Sequence, residues 1–66
     1  MNEIEVTELL LRAILGQPDA APREMMIHKL WANRAPEVIA SCIDTLVEQG
    51  HSRTQINATL NLRRLN

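Results

Sequence analysis

The segment CIDTLVEQGHSRTQINATLNL, residues 42–62, decides the fold of this chain. It begins within an apolar stripe at the spacing i, i+3, i+4 and i+7, which is typical of the buried face of a helix. The stripe consists of Ile39, Cys42, Ile43 and Leu46. Gly50 follows, and glycine often ends helices because it adopts a positive φ at little cost. Ser52 and Gln55 then have the spacing of a capping box, which predicts the start of another helix. The segment therefore predicts two helices joined by a tight turn.

This helix pair resembles the helix-turn-helix output domains of response regulators and of site-specific recombinases. In those families a helix ends in a Gly-x-Ser segment. An aliphatic residue, a later apolar residue and an apolar residue after the turn then anchor the next helix. Ile56, Leu60 and Leu62 match these three positions. Two positions depart from the family pattern, because Asn57 replaces the usual small residue and Asn61 stands where glycine is frequent.

The resemblance implies DNA-binding architecture, but only residues 63–66 follow Leu62. Four residues make about one helical turn, whereas a recognition helix needs about two to three turns to cross a major groove. We therefore expect a helix-turn-helix-like pair without a full recognition helix. The same region is also similar to a ubiquitin-associated domain, with His51 where that family usually has an aromatic residue. This second resemblance implies only a compact helical core. The matching residues are Leu46, Gly50, Ser52, Gln55 and Leu60.

Three helices are predicted before the turn. The first covers residues 2–15 and begins with a capping box formed by Asn2 and Glu5. The second and third are predicted over residues 22–33 and 36–49, each opened by a proline, which fits the first helical turn. The chain is thus expected to be all-α, a compact bundle of four short helices with the helix-turn-helix-like pair at its C-terminus.

The length of 66 residues permits a single domain, 1–66, with little material for a core. A domain of this size buries only about 60% of the surface that its unfolded chain exposes. Small domains therefore often need a disulfide, a metal or self-association. Cys42 is the only cysteine and is expected to be a buried, inert thiol. One cysteine and two separated histidines make no metal site. We therefore expect self-association and no cofactor.

Self-association is predicted through the first helix. Between Leu9 and Leu15, Arg12 is the only polar residue. A single core-facing stripe needs only about three or four apolar residues in two turns. The surplus of apolar residues predicts a homodimer interface at Leu9, Leu10 and Ile14.

Trp31 and Met25 are the predicted partner-binding residues. Trp31 is the only aromatic residue, and tryptophan is enriched at the energetic centres of protein interfaces. Met25 broadens an apolar helix face, and methionine adapts well to varied surfaces. The competing interpretation places both side chains in the core. No nucleophile stands in a catalytic pattern, and two glycines cannot form a phosphate loop. We therefore expect no enzyme activity and no small-molecule substrate.

These features favour a small regulatory protein that binds another regulatory protein. It would act as an inhibitor, anti-activator or adaptor, of the kind that phages, plasmids and bacteria encode. The alternative is a dimeric DNA-binding regulator, since three arginines and no acid occur from His51 onward. The predicted nucleic-acid contacts are Arg53, Arg63 and Arg64. Three charges are few, because strong binding to the DNA backbone involves about six to ten phosphates.

The chain is expected to be cytoplasmic and to make no contact with a membrane. Residues 1–15 contain three carboxylates, where an export signal requires positive charge. The longest apolar run is three residues, whereas a membrane-spanning helix needs about 20.

Overall fold

The computed structural model describes residues 1–61, and this part of the chain contains four α-helices and no β-strand. The predicted all-α fold is confirmed. α1 packs against both α2 and α3, and α4 packs against α3. The helices are α1 (Glu3–Gly16), α2 (Ala20–Asn33), α3 (Pro36–Glu48) and α4 (Arg53–Leu60).

Polar side chains cap the starts of α1 and α4, as the sequence predicts. The Asn2 side chain accepts a hydrogen bond from the Glu5 amide at 2.9 Å. The Ser52 hydroxyl accepts one from the Gln55 amide at 3.2 Å. Both bonds satisfy an N–H group that the helix itself leaves without a partner.

The start of α2 differs from the prediction, because the helix begins at Ala20 rather than Pro22. Asp19 is the N-cap residue, which makes Pro22 the third residue of the helix. The N–H groups of a first turn have no partner within the helix, so a proline there removes no hydrogen bond. The proline therefore indicated the first turn correctly but did not mark its first residue.

Gly50 ends α3 in the manner predicted for a positive-φ glycine, with φ of 104°. Its amide donates to the Val47 carbonyl at 3.0 Å, and the His51 amide donates to the Leu46 carbonyl at 3.0 Å. These two bonds form a Schellman motif, which satisfies carbonyl groups at the end of α3. The chain is thereby turned toward Ser52 and the start of α4.

Ten buried apolar residues from all four helices form the core. They are Leu11, Ile14, Ile27, Leu30, Ile39, Cys42, Ile43, Leu46, Ile56 and Leu60. Ile14 was predicted to lie in a dimer interface but is completely buried in the core of its own chain. The reason is that α2 and α3 cover the face of α1 on which Leu11 and Ile14 lie. Ile56 and Leu60 are buried as predicted, and Leu62 lies outside the described residues.

Thr7 is a completely buried polar residue that connects α1 with the link between α2 and α3. Its hydroxyl donates to the Glu3 carbonyl at 2.7 Å and accepts from Nε of Arg34 at 2.9 Å. The same Arg34 nitrogen lies 4.0 Å from a carboxylate oxygen of Glu3. A buried hydroxyl is therefore fully hydrogen-bonded, as its position in the interior requires.

Within residues 1–61, none of the helices combines the length and hydrophobicity needed to cross a membrane.

Candidate protein-binding groove

A solvent-open groove of about 910 Å³ runs between α2 and α4 and is called the α2–α4 groove below. Both apolar and polar residues line the groove, and most of its exposed lining surface is polar. The apolar lining residues are Leu15, Ile27, Trp31, Ala58 and Leu60. The polar lining residues are Arg23, Glu24, His28, Gln55, Thr59 and Asn61. Protein interfaces also combine apolar with polar residues.

The periodicity of α2 explains why Trp31 lies in this groove. Residues four apart share a helix face, so Trp31 lies next to Ile27, while Leu30 is directed into the core. Trp31 packs against the core but remains half-exposed. Its large apolar ring is therefore fixed on one side by the core and is accessible from the groove on the other.

The opposite wall is formed by α4, whose position depends on its two buried anchors. Ile56 and Leu60 are one turn apart and enter the core, so residues between them face outward. Ala58 is exposed, and Thr59 is half-buried at the edge of the groove. Asn61 ends the helix with φ of 63° and ψ of 39°, the left-handed conformation expected at this turn position.

The rim of the groove combines both charges and several hydrogen-bonding groups. Arg23 and Glu24 are neighbours on α2, and Arg23 also donates to the Gln17 carbonyl at 2.9 Å. His28 lies one turn further along the same wall. A rim of this kind suits a peptide or protein surface with mixed polarity better than a strongly charged polymer.

Met25 does not share this site with Trp31. The two residues are six positions apart, which corresponds to about 120° around a helix. Met25 is 63% exposed and is not among the groove-lining residues. Met25 and Trp31 are together the predicted partner-binding residues, but the helix places them on different faces. Gln55 and Thr59 were missed because only the packing of α4 brings them to Trp31.

Of the three predicted nucleic-acid contacts, only Arg53 lies within the described residues. Its guanidinium donates to a carboxylate oxygen of Asp44 at 2.7 Å, which links the start of α4 to α3. Part of its charge is thus compensated within the protein. Arg63 and Arg64 lie outside the described residues.

The predicted dimer residues fall into two environments. Ile14 belongs to the core, as described above, whereas Leu9 is 52% exposed and Leu10 is half-buried. The exposed part of α1 is turned away from the core and lies apart from the lining of the α2–α4 groove, to which α1 contributes only Leu15.

The environment of Cys42 makes its thiol unreactive. The thiol is completely buried and lies 3.6 Å from the Ile4 carbonyl, to which it donates. Burial raises the pKa of the Cys42 thiol, and the nearby carboxylates of Glu8 and Glu3 raise this pKa further. A thiol that resists ionisation is a poor nucleophile. Among residues 1–61, no cluster of three or more His, Cys, Asp or Glu side chains has the geometry to hold a metal ion.

Comparison of the chain with protein-family models, with curated proteins and with solved structures gave no match.

Proposed function

We propose that this chain is a small, non-enzymatic regulatory protein that binds another protein through the α2–α4 groove. It would act in the cytoplasm as an inhibitor, anti-activator or adaptor. The observation that carries the proposal is the position of Trp31, the only aromatic residue, which lines an open groove beside Ile27 and is half-exposed. Tryptophan contributes strongly at interface centres, where surrounding residues exclude water.

The geometry suggests how such a partner is recognised. An apolar side chain of the partner packs on Trp31, while the rim formed by Gln55, Thr59 and Arg23 pairs with its polar groups. The lining is already held by the core through Ile27 and Leu60, so the site is largely formed before binding. A preformed site loses little conformational entropy on association.

The proposal is tested by blocking the groove without disturbing the core. Ala58 lines the groove and is exposed on α4, whereas Ala32 is exposed on α2 outside the groove. Replacement of either by arginine adds the same long side chain to an exposed helical position. We expect Ala58→Arg to abolish capture of a specific protein from a lysate of the source cells, and Ala32→Arg to retain it.

The captured protein is then purified and titrated by calorimetry against the wild-type chain, Ala58→Arg and Ala32→Arg. A loss of affinity of at least about 30-fold for Ala58→Arg, the size expected for a hot-spot residue, supports the proposal. Equal affinity of Ala58→Arg and Ala32→Arg removes it. A chain ending at Asn61 is titrated in parallel, which measures how residues 62–66 affect the affinity for the partner.

DNA binding is the alternative function, and the salt dependence of affinity for a duplex tests it. Binding to a duplex through Arg53, Arg63 and Arg64 would make affinity fall steeply with salt. Replacing all three by alanine would flatten that dependence. We expect no sequence-specific gel shift at about 50 mM salt. A shift that is lost in the triple variant, while its circular dichroism is unchanged, would replace the protein-binding proposal.

A further inference from the structure

The outer face of α1 bears an apolar stripe that is not fully covered by residues 1–61. The stripe consists of Val6, Leu9 and Ala13, with Leu10 beside it packed in part against the core, and is called the α1 outer stripe below. Leu9 is 52% exposed, Ala13 is exposed, and the other two residues are half-buried. Val6, Leu9 and Ala13 are spaced by three and four residues, as in the seam of a pair of packed helices.

Two opposite charges border this stripe on the same side. Glu5 and Arg12 directly precede Val6 and Ala13, so they occupy the same position in successive heptads. Both side chains are exposed. Arg12 also donates to the side-chain oxygen of Gln49 through one terminal nitrogen. A guanidinium has five N–H groups, so this bond leaves others able to pair with a second carboxylate.

The order of these charges distinguishes the two ways in which copies of α1 can pair. In an antiparallel pair with Val6 of each copy opposite Leu9 of the other, Glu5 of each copy lies beside Arg12 of the other. Symmetry then forms this ion pair twice. In a parallel pair, the Glu5–Arg12 flanks of the two copies lie on opposite sides of the seam, so neither ion pair forms. Flanking charges of this type set the orientation of helix pairs.

We propose that a second copy of this chain docks on the α1 outer stripe, forming a two-fold dimer through antiparallel α1 helices. The charge pattern is complementary to itself under a two-fold rotation, which is the condition for a symmetric interface. Ala13 and Gly16 leave room on this face for close approach of the helices. The interface uses the face of α1 opposite the core, so the α2–α4 groove stays open in the dimer.

The size of the contact makes the dimer weak and reversible. α1 has 14 residues, which gives a length of about 21 Å. One helix pair of that length buries less surface than the roughly 1,600 Å² of a standard stable interface. The dimer is therefore expected to dissociate on dilution into folded single chains.

The first measurement is the mass by sedimentation equilibrium up to about 1 mM chain, a range that covers weak association. We expect a concentration-dependent rise toward twice the chain mass. Leu9→Gln should weaken association by at least about tenfold, because each dimer loses two buried leucine side chains. Met25→Gln is the matched control, since Met25 is an apolar residue on α2 that is 63% exposed, against 52% for Leu9. A wild-type chain that stays monomeric throughout, or equal effects of the two substitutions, overturns the proposal.

The second measurement tests the proposed Glu5–Arg12 ion pairs by charge reversal. Glu5→Arg alone and Arg12→Glu alone each place like charges at both ion-pair positions, and each should weaken self-association. In an equimolar mixture of the two variants, every position of the antiparallel pair regains opposite charges. We expect the mixture to form a heterodimer about tenfold tighter than either homodimer, as two exposed ion pairs are restored. A mixture that associates no better than the separate variants overturns the antiparallel interface.

Discussion

The hydroxyl of Thr7 holds together parts of the chain that are 27 residues apart, since it accepts from Nε of Arg34. Replacing Thr7 by valine keeps the size of the side chain but removes both hydrogen bonds. Nε of Arg34 is then left in a half-buried position without this partner. We expect Thr7→Val to lower the free energy of unfolding by about 1–3 kcal/mol, measured by urea denaturation.

Thr45→Val is the matched control for that prediction. The Thr45 hydroxyl donates only to the Ser41 carbonyl of its own helix, at 3.2 Å. Its loss should change the free energy of unfolding by no more than about 0.5 kcal/mol. Equal losses at the two threonines would show that the Thr7–Arg34 bond contributes nothing specific.

Cys42 should make stability depend on alkaline pH. Burial raises the pKa of its thiol in the folded chain above the ordinary value of 9.0. The unfolded chain therefore releases this proton first, and the stability that is present below pH 9.0 declines as pH rises toward the folded-state pKa. The chain has no tyrosine, so few other groups titrate in this range.

Urea denaturation at pH 8 to 10.5 measures this decline, with Cys42→Ala as the reference. The variant is expected to be less stable at every pH, because it leaves a small cavity. Its stability should nevertheless fall less steeply with pH than that of the wild type. Parallel curves for the two proteins would contradict the assignment of the decline to Cys42.

At the scale of elements, alanine substitution of the two glycines should change stability in opposite directions. Gly50 follows α3 with φ of 104°, whereas Gly16 is the last residue of α1 and has no positive φ. An added Cβ would meet no atom within 4 Å at either position, so only the backbone conformation differs. Gly50→Ala should cost about 1–2 kcal/mol, and Gly16→Ala should stabilise by about 0.4–1 kcal/mol. Thermal unfolding should show a lower unfolding temperature than the wild type for Gly50→Ala and a higher one for Gly16→Ala. A Gly50→Ala protein as stable as the wild type would contradict the strain argument.

The sequence was informative about elements wherever local chemistry determines the structure. The capping side chains of Asn2 and Ser52 and the stop at Gly50 each depend on neighbours within a few residues, and all three were predicted. The groove beside Trp31 was not predicted, because it depends on where α4 packs relative to α2. The Thr7–Arg34 bond was missed for the same reason, since no local pattern relates residues that far apart.

At the scale of the whole molecule, the completeness of the core changes the expectation about self-association. The sequence suggested that so short a chain needs a second copy to cover α1. Within residues 1–61, the structure buries Leu11 and Ile14 in a single chain, and the apolar surface that α1 leaves exposed includes Ile4 and the α1 outer stripe. We therefore expect helical ellipticity at 222 nm to stay constant on dilution while the mass in solution falls to that of one chain. A loss of ellipticity that follows dissociation would show that folding and association are coupled.

The short length of α4 has a consequence for the dynamics of the groove. Eight residues are too few for a stable isolated helix, so α4 depends on Ile56, Leu60 and the turn at Gly50 to remain in place. Its amide hydrogens should exchange with solvent through local opening, well before those of α1 and α3 exchange through global unfolding. One wall of the proposed binding site is thus expected to be the helix whose amides exchange fastest. A bound partner would slow deuterium uptake in α4 far more than in the rest of the chain.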